Sequence, residues 1–175
     1  MSTATLTDAG RSFCAQAVAN EVLHVAWGSG DAAWDNEGAS LPSLVKREAL
    51  FHELGRRIPT TIGFVTPDAE GSIIIPIGTL PDGTVQSARY TQVSYATPYV
   101  YFRVNFDNAD AANATIREMG LFGGTVLKEG LPPGQRYFSP AELADPGKLI
   151  AAEIVRPSFP RSPSVRESYE FILPF

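Results

Sequence analysis

A single cysteine, Cys14, stands among the 175 residues. One thiol cannot build an internal disulfide framework, and it excludes a cysteine-rich zinc site. Histidine is almost as scarce, with His24 and His52 the pair in the chain. Nucleophilic catalysis through a base therefore has little to draw on. No G-x-S-x-G elbow occurs, and Gly28-Ser29-Gly30 lacks the third glycine of a dinucleotide fingerprint. Asp31 and Asp35 lie in a Gly-rich stretch without EF-hand spacing, so no metal site is expected. No apolar run approaches the roughly 20 residues of a membrane-spanning helix. The segment Met1 to Asp8 lacks the basic and apolar regions of a signal peptide, so synthesis in a cytoplasm is expected. The net charge of −5 argues against a nucleic-acid binder resting on phosphate attraction. These absences together predict a chain with no catalytic residues, no cofactor, no metal, and neither nucleic acid nor a membrane as partner.

What is present points to a turn-rich globular domain. Hydrophobic residues make up 44% and charged residues 19%, which is ordinary for a packed chain and low in charge. The 15 glycines and 14 prolines imply many turns and exclude a long-helix protein. The length suits a single domain over 1–175 with a core of its own. Eleven arginines stand against three lysines. Arginine is the residue of planar, bidentate pairs and is enriched at interfaces, which adds a weak signal for assembly.

The periodicities predict mostly short strands after one helix. Thr7 as N-cap and Asp8 in the first turn open a helix over 7–20, with Phe13, Cys14, Ala17 and Val18 on one apolar face. A strand follows over 22–27, then a long loop over 28–43 carrying Trp34. Leu44 to Ile58 is ambiguous: Leu44, Phe51, Leu54 and Ile58 fit a helical stripe that Pro59 would end, while tertiary context could make part of it extended. Strands are expected over 60–66 and 72–77, with Pro76 pushing the second to an edge or a bulge, and a turn at Leu80-Pro81-Asp82-Gly83. The stretch 84–97 reads as a strand or an ordered loop. Tyr99 to Phe106 has the clearest alternation, with Val100, Phe102, Val104 and Phe106 on one face. Further strands are expected over 114–122, 149–155 and 165–173. Between them lie a polar turn over 107–113, a Gly/Pro-rich excursion over 123–147 with a helical turn from Ser139, and a Pro-rich arm over 157–163. The fold class is mainly β (α+β): an antiparallel, β-sandwich-like domain with one N-terminal helix and long loops. The expected core is Phe13, Val25, Val100, Phe102, Val104, Phe106, Ile116, Phe122, Ile150, Ile154 and Phe171.

One constellation is unusual. Ile116-Arg117-Glu118-Met119-Gly120-Leu121-Phe122 sets two charges inside an apolar strand. Glu118 shares a face with Ile116, Gly120 and Phe122, and a carboxylate facing that way needs a partner. The residue is in a structural ion pair, on an exposed edge face, or a polar anchor at a subunit interface.

Three motifs resemble a known family. They are Thr5-Leu6-Thr7-Asp8-Ala9-Gly10, the Ile116–Phe122 segment, and Gly147-Lys148-Leu149-Ile150-Ala151. Their order and spacing are similar to the N-terminal tail-collar fibre domain of contractile-tailed bacteriophages, with Met119 where that family has Ile. The resemblance covers most of the chain and implies a non-catalytic virion protein of the tail, a baseplate or tail-fibre attachment subunit. Its implied partners are other tail and baseplate proteins and tail fibres, with a homo-oligomer in a symmetric assembly. The candidate interface residues are Arg117, Glu118, Leu121, Phe122, Trp34, Phe159 and Arg161. The loops over 28–43 and 123–147 and the arm over 157–163 are expected to be mobile alone and ordered against neighbours. The alternative is a small carbohydrate-binding β-sandwich module using Trp27, Trp34 and the tyrosines as stacking faces.

Overall fold

A computed structural model describes residues 3–79 and 84–175. The turn expected at 80–83 lies outside the described residues. The mainly β, α+β class expected from the sequence holds: one α-helix and twelve strands among the described residues, with antiparallel ladders. The chain divides into two compact units.

The first unit comprises residues 1–20, 60–103 and 170–175. It opens with α1 (Asp8–Ala19). The Thr7 side chain accepts from the Gly10 amide at 3.1 Å, and Asn20 closes the helix. These are the caps that the sequence called for. The helix turns a different face inward, however. Ala15 is its buried residue, while Phe13 is 70% exposed and Ala17 is exposed. Ala15 lies two positions from Phe13, about 200° round the helix, so packing on Ala15 turns the expected core residue to solvent.

Strands β1 (Leu23–Gly28) and β2 (Glu53–Arg57) belong to the second unit. The first unit continues with β3 (Thr61–Pro67), β4 (Ile73–Thr79) and β5 (Val85–Val93). Then come β6 (Tyr99–Phe106), β7 (Thr115–Gly123), β8 (Val126–Leu127), β9 (Tyr137–Phe138), β10 (Leu143–Asp145), β11 (Lys148–Pro160) and β12 (Glu167–Pro174). The unit boundaries fall inside β6 and β12. One five-stranded sheet has the order β12-β6-β3-β5-β4. In it Val100 and Phe102 are fully buried, and the Phe102 ring stacks on Phe171 at 5.0 Å. On the opposite face Val65, Ile75 and Tyr101 form a cluster with Ile73, Tyr90, Tyr99 and Ile172. Pro76 sits where its missing N–H predicts, in an edge strand at a register shift between Pro76 and Gly78.

The second unit comprises residues 21–59 and 104–169. Its five-stranded sheet has the order β11-β7-β1-β2-β9, and β8 pairs with β10. All six residues of β1 are buried. The helical stripe expected over 44–58 is not a helix: 53–57 is β2, and 44–52 is irregular. Gly55 disfavours a helix there, and pairing to β1 on one side and β9 on the other satisfies the backbone. The two outer segments are also more regular than expected. The excursion over 123–147 holds β8, β9, β10 and a 3-10 turn at Pro140–Glu142, and the arm over 157–163 is strand as far as Pro160. Ile150, Ile154 and Phe171 are half-buried rather than central.

Candidate functional site

The second unit is organised around buried polar groups. Glu118 in β7 is 2% exposed. Its carboxylate accepts from the backbone amides of Gly30 (3.2 Å), Phe51 (2.9 Å) and His52 (2.8 Å). The partner that the sequence demanded is therefore backbone rather than an arginine. The geometry needs glycine at two positions. A Cβ on Gly28 would run into the Glu118 carboxylate, and Gly30, at φ +51°, lies against the Trp34 ring. His52 adds a ring-nitrogen contact to the Gly30 carbonyl at 3.0 Å. One carboxylate thus ties the start of loop 28–43 to the start of β2. Trp34 closes the loop, 5% exposed and edge-on to Phe51 at 5.0 Å. Arg117 points the other way along β7. It pairs with Asp35 at 2.8 Å and donates to the Ser29 carbonyl at 3.1 Å. The guanidinium holds the Asp35 carboxyl below its ordinary value.

Three arginines act as internal staples. Arg56 is fully buried. It forms a bidentate pair with Glu53 (2.8 and 2.7 Å), donates to the Thr125 hydroxyl and the Pro146 carbonyl (2.8 and 2.6 Å), and lies over the Phe122 ring. This pins both ends of the 123–147 excursion. Arg57 pairs with Asp107 at 2.6 Å and with Asp110. Arg161, 3% exposed, donates to the carbonyls of Asp107 (2.7 Å) and Val165 (2.9 Å) and stands over the Trp27 ring. The other neighbours of Trp27 are Phe106, stacked at 3.4 Å, and Tyr137, whose hydroxyl accepts from the indole N–H at 3.2 Å. Burial pushes the Tyr137 phenol up to about 12, so it stays protonated. Both indoles named as stacking faces for a sugar, Trp27 and Trp34, are buried.

His24 differs from these satisfied groups. It is 2% exposed, edge-on to Phe138, and neither ring nitrogen has a hydrogen-bond partner. Burial, with the Arg56 charge nearby, lowers its pKa to about 4. The imidazole behaves as a neutral aromatic filler.

Of the seven candidate interface residues, Glu118, Leu121, Phe122, Trp34 and Arg161 are buried within the chain, while Arg117 and Phe159 keep partial exposure. The loops expected to be mobile alone have partners of their own. Phe159 in β11 pairs with Ile116, and the Glu142 carboxylate accepts from the Ser139 amide and hydroxyl at 2.7 Å. None of the exposed large apolar residues is among the seven candidates, although Leu41 and Val126 lie in the loops over 28–43 and 123–147. In the first unit they include Leu6, Phe13, Ile74, Ile77, Val85 and Tyr95, and in the second Val22, Val45, Val126 and Val165. Of these the sequence pattern places Phe13 in the core and singles out none as a contact residue, since exposure depends on what packs opposite. An open cleft of about 450 Å³ is lined by Glu21, Gly123, Gly124, Asp145, Gly147, Lys148 and Ile150. Among the described residues no cluster of three or more His, Cys, Asp or Glu could hold a metal, and no helix is long and apolar enough to cross a membrane.

A family model described as "Baseplate wedge 3 tail fiber network component" matches residues 3–175. The chain belongs to that family. No curated protein sequence matches it. The baseplate component expected from the three motifs is thus what the whole chain is similar to: a structural protein of a contractile phage tail, sited in the virion's tail among other baseplate and tail-fibre components. For this wedge and fibre-network protein, the buried locks are what give the loops a defined shape.

Proposed function

We propose that this baseplate component is a non-catalytic attachment subunit, made in the host cytoplasm, that joins tail fibres to the baseplate by protein–protein contacts. The whole chain acts as one module and occurs in several copies in a symmetric assembly. Neither nucleic acid nor membrane takes part. The observation that carries the reading is α1, which buries Ala15 while Phe13 is 70% and Leu6 52% exposed. An aromatic left in water is a large area available for burial by a neighbour. Phe159 and Arg117 supply further contact. The interior polar groups act earlier, by setting the shape that docks. The test substitutes Phe13→Asp. The variant should melt as the parent does and be depleted from purified tails at least about tenfold, since an aromatic anchor contributes 2 kcal/mol or more. Normal incorporation and infectivity would reject α1 as the docking element.

A further inference from the structure

We propose that the edge strand β4 is guarded against pairing with a second copy of this chain. Strand β4 ends its sheet, and its sequence is Ile73-Ile74-Ile75-Pro76-Ile77. Ile73 and Ile75 pack into the cluster with Val65 and Tyr101. Ile74 and Ile77 stand 47% and 64% exposed, with Val85 on the neighbouring strand at 58%. An edge rich in β-branched residues, with apolar side chains in water, is a template for another strand. The natural occupant is an identical β4, because an antiparallel edge is self-complementary about a twofold axis. Two features oppose that pairing. Pro76 has no N–H and holds φ near −65°, away from the extended values of a flat ladder. The register shift between Pro76 and Gly78 leaves Ile77 as an extra residue, which bends and twists the edge. Pairing to β5 runs regularly over Ile73–Pro76 and resumes, one residue out of step, at Gly78 and Thr79. The edge can thus keep the isoleucines its inner face needs without recruiting copies before assembly into the tail.

The test is the association state of the full chain. Pro76→Thr together with deletion of Ile77 restores the donor and removes the extra residue. By sedimentation equilibrium the parent should stay at one mass from micromolar to about a hundred micromolar, while the variant's mass average should at least double. Adding Ile74→Lys should reverse the gain. A variant that melts like the parent yet keeps its mass overturns the proposal. Should the deletion impair folding, Pro76→Thr alone and the parent itself still decide. In the parent, amides of Ile74 and Ile77 should exchange with solvent at a rate independent of protein concentration. Protection that grows with concentration would mean that the edge pairs despite its proline, and the guard would be refuted.

Discussion

At the scale of single residues, the charges written into apolar strands prove to be internal fasteners. Glu118 binds amides 66, 67 and 88 positions away along the chain. Its need for a partner was legible from its place in a strand; which groups would answer was not, since nothing local in the sequence links it to Gly30 or Phe51. Removing it leaves three part-buried backbone donors without their acceptor. Glu118→Ala should therefore cost about 3 kcal/mol or more, each unsatisfied donor contributing roughly 1 kcal/mol upward. Arg117→Ala, which opens a partly exposed pair with Asp35, should cost under about 1 kcal/mol. Urea unfolding of the two variants separates them, and equal losses would contradict the clamp. Arg56 and Arg161 extend the same logic, being buried yet saturated by carboxylate, hydroxyl and carbonyl oxygens.

At the scale of elements, the turn over 107–113 shows strain held by neighbours. Ala111 takes φ 47° and Asn113 φ 66°. Asparagine tolerates that region, whereas alanine pays for its Cβ. The turn persists because the Asp110 carboxylate accepts from the Asp107 amide at 2.8 Å and Arg57 bridges both aspartates. Ala111→Gly should raise stability by up to about 1 kcal/mol, read as an upward shift of the denaturation midpoint. A loss would show that the unfolded-state freedom of glycine outweighs the strain. Helix α1 teaches a different point. Its ends were legible because capping is a local hydrogen-bonding problem, whereas the face it buries was not, because apolar residues lie on both sides. The ambiguity over Leu44–Ile58 resolves toward a strand at β2 because pairing to β1 and β9 outweighs the 3.6-residue stripe.

At the scale of the whole chain, His24 and four carboxyls lose stability together as pH falls, while Glu153, whose carboxyl pKa burial raises, works in the opposite direction. His24 is buried neutral, its pKa lowered to about 4, so the unfolded chain binds a proton more readily between about pH 6.5 and 4. The carboxyls of Asp35, Asp68, Asp107 and Glu142 are lowered by hydrogen bonds, chiefly to Arg117, Thr91, Arg57 and Gln135 respectively. Their stabilisation is present above the unfolded carboxylate pKa and is lost as pH falls through the folded value. Both effects remove stability on acidification. His24 alone should account for about 3 kcal/mol between pH 7 and pH 4, its pKa falling from 6.5 to about 4 on folding. Urea midpoints at pH 7 and pH 4.5 should therefore fall less in His24→Leu than in the parent. Identical falls would remove His24 from the account.

By itself the sequence determined the β-rich class, the alternation of β6, the caps of α1, the edge position of Pro76 and the family motifs. Each of these rests on residues close in the chain, where propensity and hydrogen bonding act at short range. The tertiary structure alone decided which apolar residues are core and which stay in water. It also decided that Glu118, Trp34 and Arg161 are spent on the chain's own loops, and that the excursion over 123–147 is pinned by Arg56. Those outcomes depend on groups brought together from distant positions, and burial is a property of what packs opposite a residue, which no local pattern records.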